Sequence, residues 1–446
     1  MMFGMLSIVA LNLIDAFFVG KMGAMQLAAL SFTFPVALIM GSIGVGIGTG
    51  ASAAISRAIG AQDEVETRRL TTDSMLLSFI LALLIIGGGI WSMDPLFRLL
   101  GAGEEVLPYI REYMYIWYIG VLFVMLPFAG NTAIRAKGDT QTPALIMVCM
   151  VVVNMVLDPI LIFGWGPIPA LGMSGAALAT VIARTISLIL GMYVLHVRYH
   201  LLSFALPTLT RVFQSWKRIL LVGFPAAATN LVIPFSTALI TQLVAGYGPE
   251  AVAALGVAAR IDVFAVITVI SLANVLAPFV GQNIGARMWN RVREGIHKSQ
   301  AFALLWGAAM FGLLFFTGKY IAPLFSHSPK VITATLLYLC IAPAGYAARG
   351  LYMINNTSLN VLNKPLQASL VTLIQMFGVY LPLAYLGSYL FGLGGVFGSM
   401  AVSYYVGAAF SFVLVRRIIK KFPQKISPQP KNPAPREKEL DLSPVV

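Results

Sequence analysis

The stretch Ala144–Phe163, ALIMVCMVVVNMVLDPILIF, decides the fold. It contains one charge, Asp158, among twenty residues. At about 1.5 Å of rise per residue, a helix of that length spans roughly the 30 Å of hydrocarbon in a bilayer. Leu76–Ile90 and Ala301–Phe316 are similarly apolar. The whole chain follows them: 59% of its 446 residues are hydrophobic and 11% are charged. A water-soluble domain does not expose so little charge. Period-two alternation is absent, which argues against a β-barrel. The expected fold is an all-α membrane protein.

Outward from Ala144–Phe163, the sequence divides into about twelve spans, at roughly 1–20, 27–58, 70–93, 106–134, 141–163, 170–197, 212–246, 251–283, 291–317, 330–358, 365–390 and 394–420. Pro35, Pro127, Pro225, Pro234, Pro278, Pro343 and Pro382 fall inside them. Membrane helices tolerate such kinks, because neighbouring groups satisfy the freed carbonyls. The net charge of +13 gathers at span ends. The segments 57–69, 135–137, 198–218, 287–298, Lys364 and 416–438 hold about twenty-two of the thirty basic residues. These segments are expected on the cytoplasmic side, with the C-terminus. The positive charge therefore reports orientation, and no nucleic-acid partner is expected. Cys149 and Cys340 lie within apolar runs and imply no disulfide framework.

The chain also repeats itself. Ala28-Ala29-Leu30 returns as Ala253-Ala254-Leu255, Ile59-Gly60-Ala61 as Ile284-Gly285-Ala286, and Asn131-Thr132 as Asn356-Thr357, each 225 residues on. At an offset of 222, Pro143 matches Pro365 and Leu171-Gly172 matches Leu393-Gly394. Six spans per repeat is an even number, so both halves enter the membrane the same way round. The expected organisation is an N-lobe over 1–200, a cytoplasmic linker over 201–211, a C-lobe over 212–421 and a disordered tail over 422–446. The basic approach to span seven, Ser215-Trp216-Lys217-Arg218, has no counterpart before span one. The first helix is accordingly expected to be truncated.

Charge inside a bilayer is costly, so its positions are informative. Asp15, Asp158 and Asp262 lie well inside spans. Asp15 and Asp158 fall at similar depth toward the outer side. Asn154 precedes Asp158 by one helical turn, and Asn12 precedes Asp15 by three residues. Pro159 frees a carbonyl near Met155. Carboxylates, an amide and a free carbonyl at one level suit binding of a proton or a small cation, Na+ at Asp15 and Asp158 included. Asp262 is expected in a structural ion pair, with Arg349 or with Arg260, and Arg184 is expected to snorkel toward the cytoplasmic surface. The glycines of Gly41–Gly50 are expected at a close helix contact.

Several stretches together resemble the multidrug and toxic compound extrusion (MATE) family. They are Leu13-Ile14-Asp15-Ala16-Phe17-Phe18-Val19-Gly20, Arg135-Ala136-Lys137-Gly138-Asp139-Thr140-Gln141-Thr142-Pro143, Asn154-Met155-Val156-Leu157-Asp158-Pro159 and Leu362-Asn363-Lys364-Pro365. The resemblance covers essentially the whole chain. It implies two pseudo-symmetric six-helix lobes and alternating access. It also implies export of drugs or toxic organic cations, driven by inward H+ or Na+, with no cofactor and no enzymatic activity. Within the family the resemblance is to the DinF-like branch. That match makes Asp15, Asn154 and Asp158 the coupling residues and Tyr113 and Asn131 polar members of the N-lobe cavity, joined by Asn12. The branch often has a hydroxyl on the sixth helix; Ser174-Gly175-Ala176 in that region gives no evident equivalent. Span seven has no acidic residue, so ion chemistry is expected in the N-lobe alone. The expected location is a bacterial or archaeal inner membrane, with a monomer surrounded by lipid. A lipid-linked-precursor flippase of the same superfamily is the competing function.

Overall fold

The structure is a computed structural model that describes residues 1–203, 208–326 and 328–423. The expected tail beyond residue 423, and the linker residues 204–207, lie outside the described residues. Helices account for nearly everything else. The N-lobe comprises α1 (Met2–Met22), α2 (Ala24–Gly60), α3 (Glu64–Leu99), α4 (Leu107–Ala136), α5 (Gln141–Phe163) and α6 (Gly172–Arg198). The C-lobe begins with α7 (Leu209–Ala245), α8 (Pro249–Gly285), α9 (Trp289–Phe325) and α10 (Pro329–Val361). The remaining stretch, Pro365–Lys420, is 56 residues of apolar helix. It is too long for one crossing, and it breaks at Gly392, where φ is 60°. The chain folds back there, and Ser399 Oγ donates to the Leu383 carbonyl at 2.6 Å. Residues 365–391 are thus α11 and 393–420 are α12, which completes twelve helices in two six-helix lobes.

These helices form because their apolar residues run all the way round them, as lipid requires. Leu84, Trp91, Leu305, Phe316 and Leu324 stand exposed on the outside. Pro343 falls in a short 3₁₀ stretch, Ala342–Gly345, that interrupts α10. A π-helical stretch, Ile374–Tyr380, interrupts α11.

The turns repeat along with the sequence. Gln62 and Arg287, 225 positions apart, both have positive φ, at 61° and 56°. Gly23 and Gly248 form another such pair, as do Gly138 and Asn363. The last turn slips: Gly172 in the N-lobe corresponds in conformation to Gly392, two residues before the position that the 222 offset selects.

Asp63 caps α3, accepting from the Glu66 amide at 2.9 Å. Asp139 ties the α4–α5 turn. Its carboxylate accepts from the Gln141 and Thr142 amides, each at 2.9 Å, and from the Tyr199 hydroxyl at 2.7 Å. Partial burial pushes the Asp139 carboxyl up, but these bonds together with the Thr142 hydroxyl outweigh it and hold the group below the usual carboxylate range. The motif around Asp139 is thereby explained as turn chemistry.

The lobes join through close backbone approach. Gly46 and Gly50 of α2 lie against Gly223, Ala227 and Ile219 of α7, and a Cβ at either glycine would overlap that helix. Gly44 and Gly48 face Phe128 and Thr132 of α4, inside the N-lobe. The expected packing role holds for these four; Gly41 faces open space. Among the described residues, every side-chain hydrogen bond between the two sets of six helices lies in the half of the molecule that carries the basic loops.

Candidate functional site

Four helices place a polar side chain in one layer. Asp15 lies 7 residues before the end of α1 and Asp158 lies 5 before the end of α5. Tyr113 lies 6 residues after the start of α4 and Thr180 lies 8 after the start of α6. At about 1.5 Å per residue, all four sit roughly 8–12 Å from the helix ends opposite the basic loops. Charge and hydroxyl thus meet well below the surface.

Asn154 is the centre of the layer and is fully buried, and Asp158 is 1% exposed. One terminal atom of the Asn154 amide lies 3.3 Å from Asp158 Oδ1 and 3.4 Å from Thr180 Oγ1. The other lies 3.0 Å from Asp15 Oδ1 and 3.3 Å from Asp158 Oδ2. That second position faces only acceptors, so it suits the amide nitrogen, which then donates to both carboxylates. Asp15 and Asp158 also meet each other at hydrogen-bonding distance. Two carboxyl oxygens in contact need a proton or a cation between them. Asp15 therefore connects the thinly buried helix α1 to α5.

Thr180 supplies the α6 hydroxyl that the sequence reading did not find. Ser174 remains at the outer end of α6, where its backbone amide donates to Glu112. Thr180 lies further down the same helix and reaches Asn154. Arg184, one turn beyond Thr180, corrects a second expectation. It does not extend to the surface; it is held inside the lobe, where its charge acts on Asp15 and Tyr113. Its Nε has no hydrogen-bond partner among the described residues. Tyr113 is buried beside Asp15, Asp158 and Arg184.

The other two cavity candidates lie elsewhere. Asn12 is exposed on α1 and makes no side-chain hydrogen bond among the described residues. Asn131 is 18 residues along α4 from Tyr113, which is about 27 Å. It lines a separate small cavity with Met75, Ser187 and Gly191. Among the described residues, no three His, Cys, Asp or Glu side chains gather as a metal site.

In the C-lobe, Asp262 of α8 and Arg349 of α10 form an ion pair at 2.8 Å. Tyr346 donates to the same carboxylate. The Arg349 guanidinium stacks over the Tyr404 ring at 5.3 Å. Tyr338 and Tyr380 also lie within electrostatic reach of the pair. Arg260 is exposed and takes no part. Tyr338 is the repeat counterpart of Tyr113, and Tyr380 that of Asp158. The lobes share positions but not charges.

A twelve-helix bundle in two repeated lobes, with buried carboxyls bridging separate helices, defines a polytopic membrane transporter. The chain belongs to the MatE family, which it matches over residues 1–160 and 225–386. It is 35% identical over 415 residues to a FAD transporter from Shewanella oneidensis, covering 93% of this chain and 92% of that one. It is 28% identical over 384 residues to the probable multidrug resistance protein YoeA of Bacillus subtilis, covering 85% and 82% of the two chains. Among solved structures, the Vibrio cholerae MATE transporter VcmN in its bent form superposes with a TM-score of 0.89 at 28% identity, over 94% of each chain.

Proposed function

We propose that this protein exports small organic molecules across the inner membrane in exchange for an inward cation, H+ or Na+, bound between Asp15 and Asp158. The contact between those two carboxyls, bridged by Asn154, is the observation that carries the reading. With an ion between them, α1 is tied to α5. Without one, two like charges in contact repel in a medium that screens them poorly. Ion loading thus biases the position of α1, and Tyr113 of α4 lies beside Asp15. The cluster's position fits the DinF-like branch, with entry of the ion from the outer side and the basic loops and C-terminus in the cytoplasm.

The substrates are amphipathic drugs or organic cations, in keeping with the multidrug relative. A second reading is a flavin nucleotide or a similar anionic aromatic solute. Arg184, facing Asp15 and Tyr113 with an unpartnered Nε, favours it, as does the relative named for FAD transport. Purified protein in vesicles separates these readings. Ethidium and FAD are each loaded, and a pH gradient or a Na+ gradient is imposed separately. Gradient-driven movement of either solute supports antiport. No movement under either gradient refutes it.

A further inference from the structure

Where the lobes meet at the basic end, one contact occurs twice. Arg57, near the end of α2, donates from Nη2 to the carbonyl of Val361 at the end of α10. Gln282, near the end of α8, donates from Nε2 to the carbonyl of Ala136 at the end of α4, at 2.6 Å. The 225-residue repeat relates donor to donor, 57 to 282, and acceptor to acceptor, 136 to 361. The packing beneath repeats too. Gly60 lies against the carbonyl of Gln282, and its counterpart Gly285 lies against the carbonyl of Arg57. A methyl group at either glycine would overlap the opposing backbone. Each arm therefore crosses from its own lobe to the other, over a crossing that only glycine permits.

The acceptors explain why the arms hold. Carbonyls in the last turn of a helix lack an intrahelical partner and carry the negative end of the helix dipole. Ala136 and Val361 are almost completely buried, so water does not replace a lost donor. Arg57 brings a full positive charge to such an end, and Gln282 brings a neutral amide.

We propose that Arg57 and Gln282 are a two-armed latch that sets the balance between closed and open states at the basic end. Opening on that side breaks both arms together, since the repeat axis passes between them. This inference rests on the alternating-access reading, and its test separates the two. Spin labels are placed on exposed positions related by the repeat, Val65→Cys and Asn290→Cys, in a Cys149→Ser/Cys340→Ser background, with the protein in lipid vesicles. A second pair, Leu100→Cys and Phe325→Cys, reports on the opposite end. Distances are measured by pulsed electron resonance.

The wild type is expected to give a short distance at the basic end. Losing a charge-assisted bond and a neutral one raises the longer-distance population of Arg57→Ala/Gln282→Ala roughly tenfold or more. Arg57→Ala alone is expected to exceed Gln282→Ala. Arg57→Gln is expected to restore the short distance, because the other arm already uses glutamine. Gly60→Ala keeps both arms but wedges the crossing, and is expected to lengthen the distance as well. Arg57→Ala alone carries the test if the double variant does not purify as a monodisperse protein. The latch is overturned if pH or Na+ shifts both label pairs in the wild type while the variants leave the distribution at the basic end unchanged. If neither ion nor variant moves either pair, the alternating-access reading itself fails.

Discussion

Replacing Arg349 with methionine tests how the C-lobe is held. The substitution removes a 2.8 Å ion pair and the stacking on Tyr404, and leaves Asp262, 8% exposed, with the Tyr346 hydroxyl alone. Breaking a buried pair from one side costs about 3–5 kcal/mol, because the remaining charge is left without its partner. The retained tyrosine bond places this site at the lower end, about 3 kcal/mol. For a lobe of this size that corresponds to a fall of roughly 6 °C or more in the unfolding midpoint. Removing both charges, as Asp262→Leu/Arg349→Met, leaves no unpaired ion and is expected to recover most of the loss. The assay is thermal unfolding of the four proteins of this cycle in detergent, with vesicle transport measured alongside. An Arg349→Met protein that melts with the wild type would refute the reasoning. So would a double variant whose loss is the sum of the two single losses.

Thr180→Val removes the α6 hydroxyl that meets Asn154. It is expected to slow gradient-driven export severalfold and to shift its pH profile, with little change in the unfolding midpoint; vesicle transport across a pH series checks this. Asp139→Ala removes the acceptor for two amides at the start of α5 and is expected to cost about 1 kcal/mol. The Asp139 carboxyl is held below its usual range, so its contribution is present above the unfolded pKa of about 4 and is lost as pH falls through the lower folded value. The stability difference between wild type and Asp139→Ala should therefore be constant from neutral pH to about 5 and shrink below about 4, measured by unfolding at each pH.

The sequence disclosed most of the scaffold, because lipid imposes one requirement on every crossing. Length and apolar composition marked the helices, and the repeat marked the lobes. Even the positive-φ turns at Gln62 and Arg287 follow the 225-residue offset. Asp15, Asn154 and Asp158 were legible for a related reason: polar groups at that depth need partners, and their positions put them in one layer. Thr180 was not legible, since a threonine in an apolar helix reads as packing until its face is known. Arg184 was misread because a long cationic side chain can extend either way from mid-helix. Tyr113 and Asn131 looked like members of one cavity, yet α4 separates them by about five turns. Arg57 entered the sequence reading only through the basic segment 57–69, and Gln282 not at all. Only the meeting of the lobes gave them buried carbonyls to bind.

The central claim is that the ion bound between Asp15 and Asp158 drives export. The direct measurement is solute efflux from vesicles containing the Asp15→Asn protein, under the gradient that drives the wild type. Asparagine keeps the size and one carbonyl oxygen, but holds neither a titratable proton nor a charge for Na+. The account predicts that gradient-driven efflux falls to the level of empty vesicles while the protein remains folded. Efflux at the wild-type rate, still following the same gradient, would contradict it.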